Sequence, residues 1–85
     1  MDKVHLHSSH PKISARLKRA RGHLDSVIAM IEEGRPCTDI AQQLHAVEKA
    51  ITNAKRALIH DHIDHCLDEG GAESTADFKE ITRYL

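Results

Sequence analysis

The chain has 85 residues, a net charge of -1 and 40% hydrophobic residues against 29% charged ones. That size allows one small domain, and the balance excludes a disordered chain. Phe78 and Tyr84 are its only aromatic residues, so a single copy has little material for a private core, and chains this short lean on a metal, disulfides or a partner subunit. No apolar run approaches the roughly 18 residues of a membrane span. The start, MDKVHLHSSH, lacks the apolar stretch of a secretory leader, so a cytoplasmic protein is expected.

Residues 1–10 read as a flexible, histidine-bearing arm ahead of one helical domain over 11–85. Pro11 suits the first position of a helix, where its missing N–H is no loss. Ile13, Leu17, Ala20, Leu24, Val27, Ile28 and Ile31 then recur in steps of three and four. This predicts an amphipathic helix over about residues 11–33. Gly34 ends it, and Arg35-Pro36 forms a corner.

The second helix is predicted from Cys37 or Thr38 to about residue 68. Ile40, Leu44, Val47, Ile51, Ala54 and Leu58 form a heptad seam along it. Gly70-Gly71 breaks the chain, and a third helix over about 74–84 carries Phe78 and Ile81. The expected fold is all-α. A two-helix hairpin buries only one side of each helix, so the seam argues for a dimer forming a four-helix bundle.

Two features carry chemistry. Eight histidines in 85 residues is about four times ordinary usage. Two cysteines, Cys37 and Cys66, without a leader favour thiol chemistry or metal ligation over a disulfide. His62 and Cys66 are four apart on one helix face and continue the stripe from Leu58. They are natural ligands for a soft-to-borderline metal. Cys37 lies 29 residues before Cys66, about 44 Å along a helix, so one chain cannot bring the two together. In an antiparallel dimer, Cys37 of one subunit meets His62 and Cys66 of the other. His5, on the arm, is a candidate fourth ligand, and its capture would order a loose segment.

The charge is uneven. Residues 11–21 hold Lys12, Arg16, Lys18, Arg19 and Arg21 without an acid, whereas residues 61–80 are acidic. Lys12, Arg16, Arg19 and His23 step four, three and four along helix one, with Lys18 and Arg21 beside them. Such a face suits phosphate binding. Lys49, Lys55 and Arg56 are candidates to extend it. There is no helix-turn-helix signature, so contacts to phosphate and DNA shape are expected to dominate.

With RLKRARGH at 16–23, GRPC at 34–37, QQLHAVEKAI at 42–51 and HDHIDHC at 60–66, the chain resembles the CsoR/RcnR family of small all-helical bacterial repressors that sense metals or electrophiles. The resemblance implies a dimer of dimers whose apo form binds operator DNA and is released by inducer. It places the sensing positions on His5, Cys37, His62 and Cys66, and operator-binding positions on Arg16 and Arg19. A His-Cys-His-Cys set is similar to the nickel-sensing branch, where two thiolates and two nitrogens suit Ni(II), with Co(II) close behind. Cu(I) is the alternative, since Cys37, His62 and Cys66 suffice for it. Copper-type members carry a Tyr before the first Cys and a Glu in helix three, and here Pro36 and approximately Thr82 stand there. Met1-Asp2 and Cys66 speak against a formaldehyde sensor, and His62 against a persulfide sensor. Many relatives have an Arg near the position of Glu48, so an acid there is a departure. An enzyme is not expected. A metal storage or delivery protein is the rival from another class, but it leaves the basic face unexplained.

Overall fold

A computed structural model describes residues 9–69 and 72–85; of residues 66–69 and 72–75 it describes the backbone alone. His5 and the rest of the expected arm up to Ser8, the Gly70-Gly71 break, and the side chain of Cys66 lie outside the described residues. Three helices follow in order: α1, His10–Glu32; α2, Cys37–Glu69; and α3, Ala72–Thr82. The described residues contain helices and turns and no strand, as the periodicity predicted.

Helix α1 begins one residue earlier than Pro11 suggested. Ser9 is its N-cap residue, and the Ile13 amide donates to the Ser9 carbonyl at 3.0 Å. The Ser9 hydroxyl makes no capping bond. At the other end, Gly34 adopts φ +73°, a left-handed conformation that costs a side-chain-bearing residue energy. The Arg35 amide donates to the Met30 carbonyl at 3.0 Å and the Gly34 amide to Ile31 at 3.1 Å. This paired closure satisfies the last carbonyls of α1 and fixes the chain's exit. Pro36 then precedes α2, whose 33 residues span about 50 Å at 1.5 Å each. That length accounts for the molecule's 54 Å long axis.

The α1–α2 pair is an antiparallel hairpin. His23 meets Gln43, whereas the earlier Arg16 and Arg19 share a cleft with the later Ala50 and Asn53. Its core is thin. Ile13, Ala20 and Val27 of α1, spaced by seven, are buried with Val47, Ala54 and Ile59 of α2. The seam on α2 therefore divides. Val47 (3% exposed) and Ala54 close the hairpin, while Leu44, Ile51 (45% exposed) and Leu58 stay open. Leu17, Leu24, Ile28 and Ile31 of α1 are open as well. Helix α3 packs on α2 alone, through half-buried Phe78 and Ile81.

Candidate metal centre and nucleic-acid interface

Helix α2 carries sequence-expected ligands at both ends. Cys37 is its first residue, with an exposed free thiol. His62 lies 25 residues on, about 38 Å along the axis, where the ring is 21% exposed. Position 66 follows one turn later in the same helix. Among the described residues, no three His, Cys, Asp or Glu side chains gather closely enough to hold an ion. One copy of α2 thus carries these two candidate ligands at opposite ends.

The His62 ring is held by a residue the sequence reading missed. Nε2 donates to Oδ2 of Asp77 on α3 at 2.5 Å. A carboxylate accepts, so the bond uses a proton on Nε2 and fixes the orientation of the ring. Metal-ligating histidines commonly have one ring nitrogen held by such an acceptor. Imidazole at one end and thiol at the other fit a soft-to-borderline ion. The sequence reading placed Thr82 approximately where copper-type members carry a Glu; the carboxylate that meets His62 is Asp77, five residues earlier. Its signal was spacing: Asp77 precedes Ile81 by four, beside the face of α3 that packs on α2.

The basic run of α1 does not point one way. Lys12, Arg16 and Arg19 share a face, whereas Lys18 and Arg21 are turned about 120° and 180° from Lys12 at 3.6 residues per turn. All five are exposed. Arg16, Arg19 and His23 border a shallow cleft of about 370 Å3, closed on the α2 side by Ala50 and Asn53. Asn53 also borders a second hollow with Lys49 and Arg56, so a polar band crosses from α1 to α2. His23, which its spacing puts on the basic face, is half-buried there and bonds Gln43 at 2.7 Å, clipping the helices together. No helix among the described residues is long and apolar enough to cross a membrane.

A family model described as "Metal-sensitive transcriptional repressor" matches residues 9–85. The chain belongs to this family, the CsoR/RcnR repressors. The family is one of repressors, not enzymes. The copper-sensing transcriptional repressor CsoR of Mycobacterium ulcerans (strain Agy99) is 45% identical over 51 residues, covering 60% of this chain and 44% of that protein. The copper-sensing CsoR of Bacillus subtilis (strain 168) is 39% identical over 56 residues, 66% of this chain and 55% of that one. This chain thus spans about half the length of the curated relatives it matches. Among solved structures, the nickel-responsive transcriptional regulator InrS superposes with a TM-score of 0.82 at 32% identity, covering 98% of this chain and all of that one. The three-helix architecture is therefore a CsoR/RcnR architecture, and metal sensing is the theme of the family.

Proposed function

We propose that the chain is a metal-responsive transcriptional repressor whose apo form binds operator DNA in the cytoplasm and whose metal-bound form lets go. The observation that carries this reading is the placement of Cys37 and His62 at opposite ends of α2, with His62 already oriented by Asp77. An antiparallel dimer supplies what one chain lacks: Cys37 of one subunit joins His62 and Cys66 of the other, twice. His5 serves as the fourth ligand. A homotetramer, as a dimer of dimers, presents paired α1 faces to a duplex. Lys12, Arg16 and Arg19 make the main phosphate contacts, and Lys18 and Arg21 reach flanking phosphates.

Ni(II) is the proposed inducer, with Co(II) as its chemical neighbour. The donor set His5, Cys37, His62 and Cys66 offers two thiolates and two nitrogens, and the nickel-responsive InrS is similar over the whole chain. Cu(I) is the second reading. It is favoured by the copper-sensing relatives and by Asp77, which gives His62 the carboxylate partner that Thr82 does not. Metal binding weakens DNA binding only if the ion prefers the DNA-free form. Linkage then requires DNA to weaken metal binding by the same factor.

The test is an anisotropy titration of promoter DNA with reduced, anaerobic protein, either apo or holding one equivalent of Ni(II) or Cu(I) per subunit. Tight apo binding released by nickel supports the first reading. Release by copper alone transfers the assignment to Cu(I). Metal binding without DNA binding in any form makes metal storage the better account.

A further inference from the structure

Among the described residues, the exposed large apolar side chains of α2 are Leu44, Ile51 and Leu58. Residues seven apart drift only about 20° round a helix, so the three form one line. Ile51 is its centre, with Leu44 and Leu58 seven residues to either side. A line symmetric about its own middle suits isologous contact, in which one patch meets a second copy of itself. In an antiparallel pair centred on Ile51, Leu44 meets Leu58 of the partner subunit, and Ile51 meets its own copy.

One flank of the line bears Ala41, Glu48, Lys55 and His62, again seven apart. A twofold axis normal to an antiparallel helix pair keeps each flank on the same side, so like flank faces like flank. In a parallel pair, opposite flanks would meet instead. Glu48 lies three residues before the centre and Lys55 four after it. Each Glu48 is therefore level, within about one 1.5 Å rise, with Lys55 of the other copy. Both side chains are exposed in the single subunit. The Glu48 carboxylate comes no nearer than 3.9 Å to His45 Nδ1 and is 78% exposed, which leaves it able to reach a stronger cation.

A third observation agrees. Ala41, Leu44, His45 and Glu48 outline a shallow hollow on α2. Their i, i+3, i+4, i+7 spacing is the four-residue socket that receives a side chain from a facing helix. The same centring sets Leu58 of the partner subunit level with it.

Resting on the antiparallel dimer proposed above, with Ile51 at its twofold axis, we infer that Glu48 of each subunit pairs with Lys55 of the partner subunit, two symmetric ion pairs that lock the register. This register brings position 37, fourteen residues before the centre, level with position 66, fifteen after it. The contact that aligns the subunits thereby also aligns the two half-sites for metal. It gives Glu48, the acid beside the cations of α2, a role in subunit pairing instead of DNA binding.

The test uses charge reversal in the full-length chain, read by sedimentation at about 0.05 M salt, where screening is weak. Glu48→Lys alone and Lys55→Glu alone each set like charges against each other at both pairs. Each should weaken self-association on the order of tenfold or more. An equimolar mixture of the two variants restores opposite charges at every pair, as does the double variant. Both should return to within about threefold of the wild type, and recovery in the mixture also shows that each variant folds. The register is overturned if the single variants self-associate as tightly as wild type, or if the mixture gains nothing over its components. With the wild type still dimeric, those outcomes remove the register and leave the dimer standing. A wild-type chain that stays monomeric at every concentration removes the dimer and the register with it.

Discussion

His62 and Asp77, fifteen residues apart, are joined by a 2.5 Å hydrogen bond from Nε2 to Oδ2. The bond ties α3 to the end of α2 that bears the expected ligands. Asp77 is 54% exposed, so the contact contributes little to stability by itself. Its consequence is orientation: it fixes the His62 ring against α3. Asp77→Ala should therefore leave the helix content and apo DNA affinity near wild type while lowering metal affinity about 10- to 100-fold. Chelator competition with Ni(II) and Cu(I) measures this. An unchanged metal affinity would show that the Asp77 contact does not serve the ligand.

The helices were legible in the sequence because apolar spacing, Pro11 and Gly34 act locally. Which seam residues close the hairpin was not. Val47 and Ile51 are both apolar and four apart on one helix, and only the position of α1 decides that the first is buried and the second open. Cys37 and His62 stood out as candidate ligands by residue type and spacing, and the structure sets them at opposite ends of α2. Asp77 was not legible, because its partner lies on another helix beyond a Gly-Gly break, and the register of α3 on α2 depends on Phe78 and Ile81 packing. The bond from His23 to Gln43 was not legible for a similar reason: the partner comes from α2.

The split of the cations round α1 predicts unequal effects on DNA binding. Arg16→Ala and Arg19→Ala remove side chains from the face that borders α2 through Asn53. Each should weaken binding for every sequence tested and lower the slope of log affinity against log salt by about 1. Lys18→Ala, about 120° away, should change that slope by less than half as much. Titrations at several salt concentrations separate the cases. Equal losses at Arg16, Arg19 and Lys18 would mean that the duplex wraps α1 and does not lie across the hairpin.

Gly34 offers a test of the hairpin corner. A Cβ there meets nothing within 4 Å, so a substitution costs only backbone energy at φ +73°. Gly34→Ala should destabilise by about 1–2 kcal/mol, and Gly34→Asn by less, since Asn tolerates this conformation. For a domain this size, 1 kcal/mol corresponds to a Tm shift of roughly 4–8 °C. Melts at one fixed protein concentration measure it, because association also raises Tm. A Gly34→Ala protein as stable as wild type would mean that the corner relaxes to another geometry.

Val47 and Ile51 should respond in opposite ways to substitution, although both belong to the same seam. Val47 is 3% exposed against α1, so Val47→Ala removes buried methyl groups and leaves a small cavity. About 1.5–2.5 kcal/mol of folding stability should be lost, with the dimer contact itself untouched. Ile51 is 45% exposed in the single subunit, so Ile51→Asp leaves the hairpin core intact. At the proposed twofold axis, however, it would set two carboxylates against each other in a closing apolar seam, where an unpaired charge is costly. Association should weaken on the order of a hundredfold or more, while circular dichroism of the separated subunits keeps its helical signal. Sedimentation and thermal melts on the two variants distinguish the effects. If Ile51→Asp sediments like wild type, the open line of α2 is not the subunit interface, and Cys37 must find its partner ligands by another route.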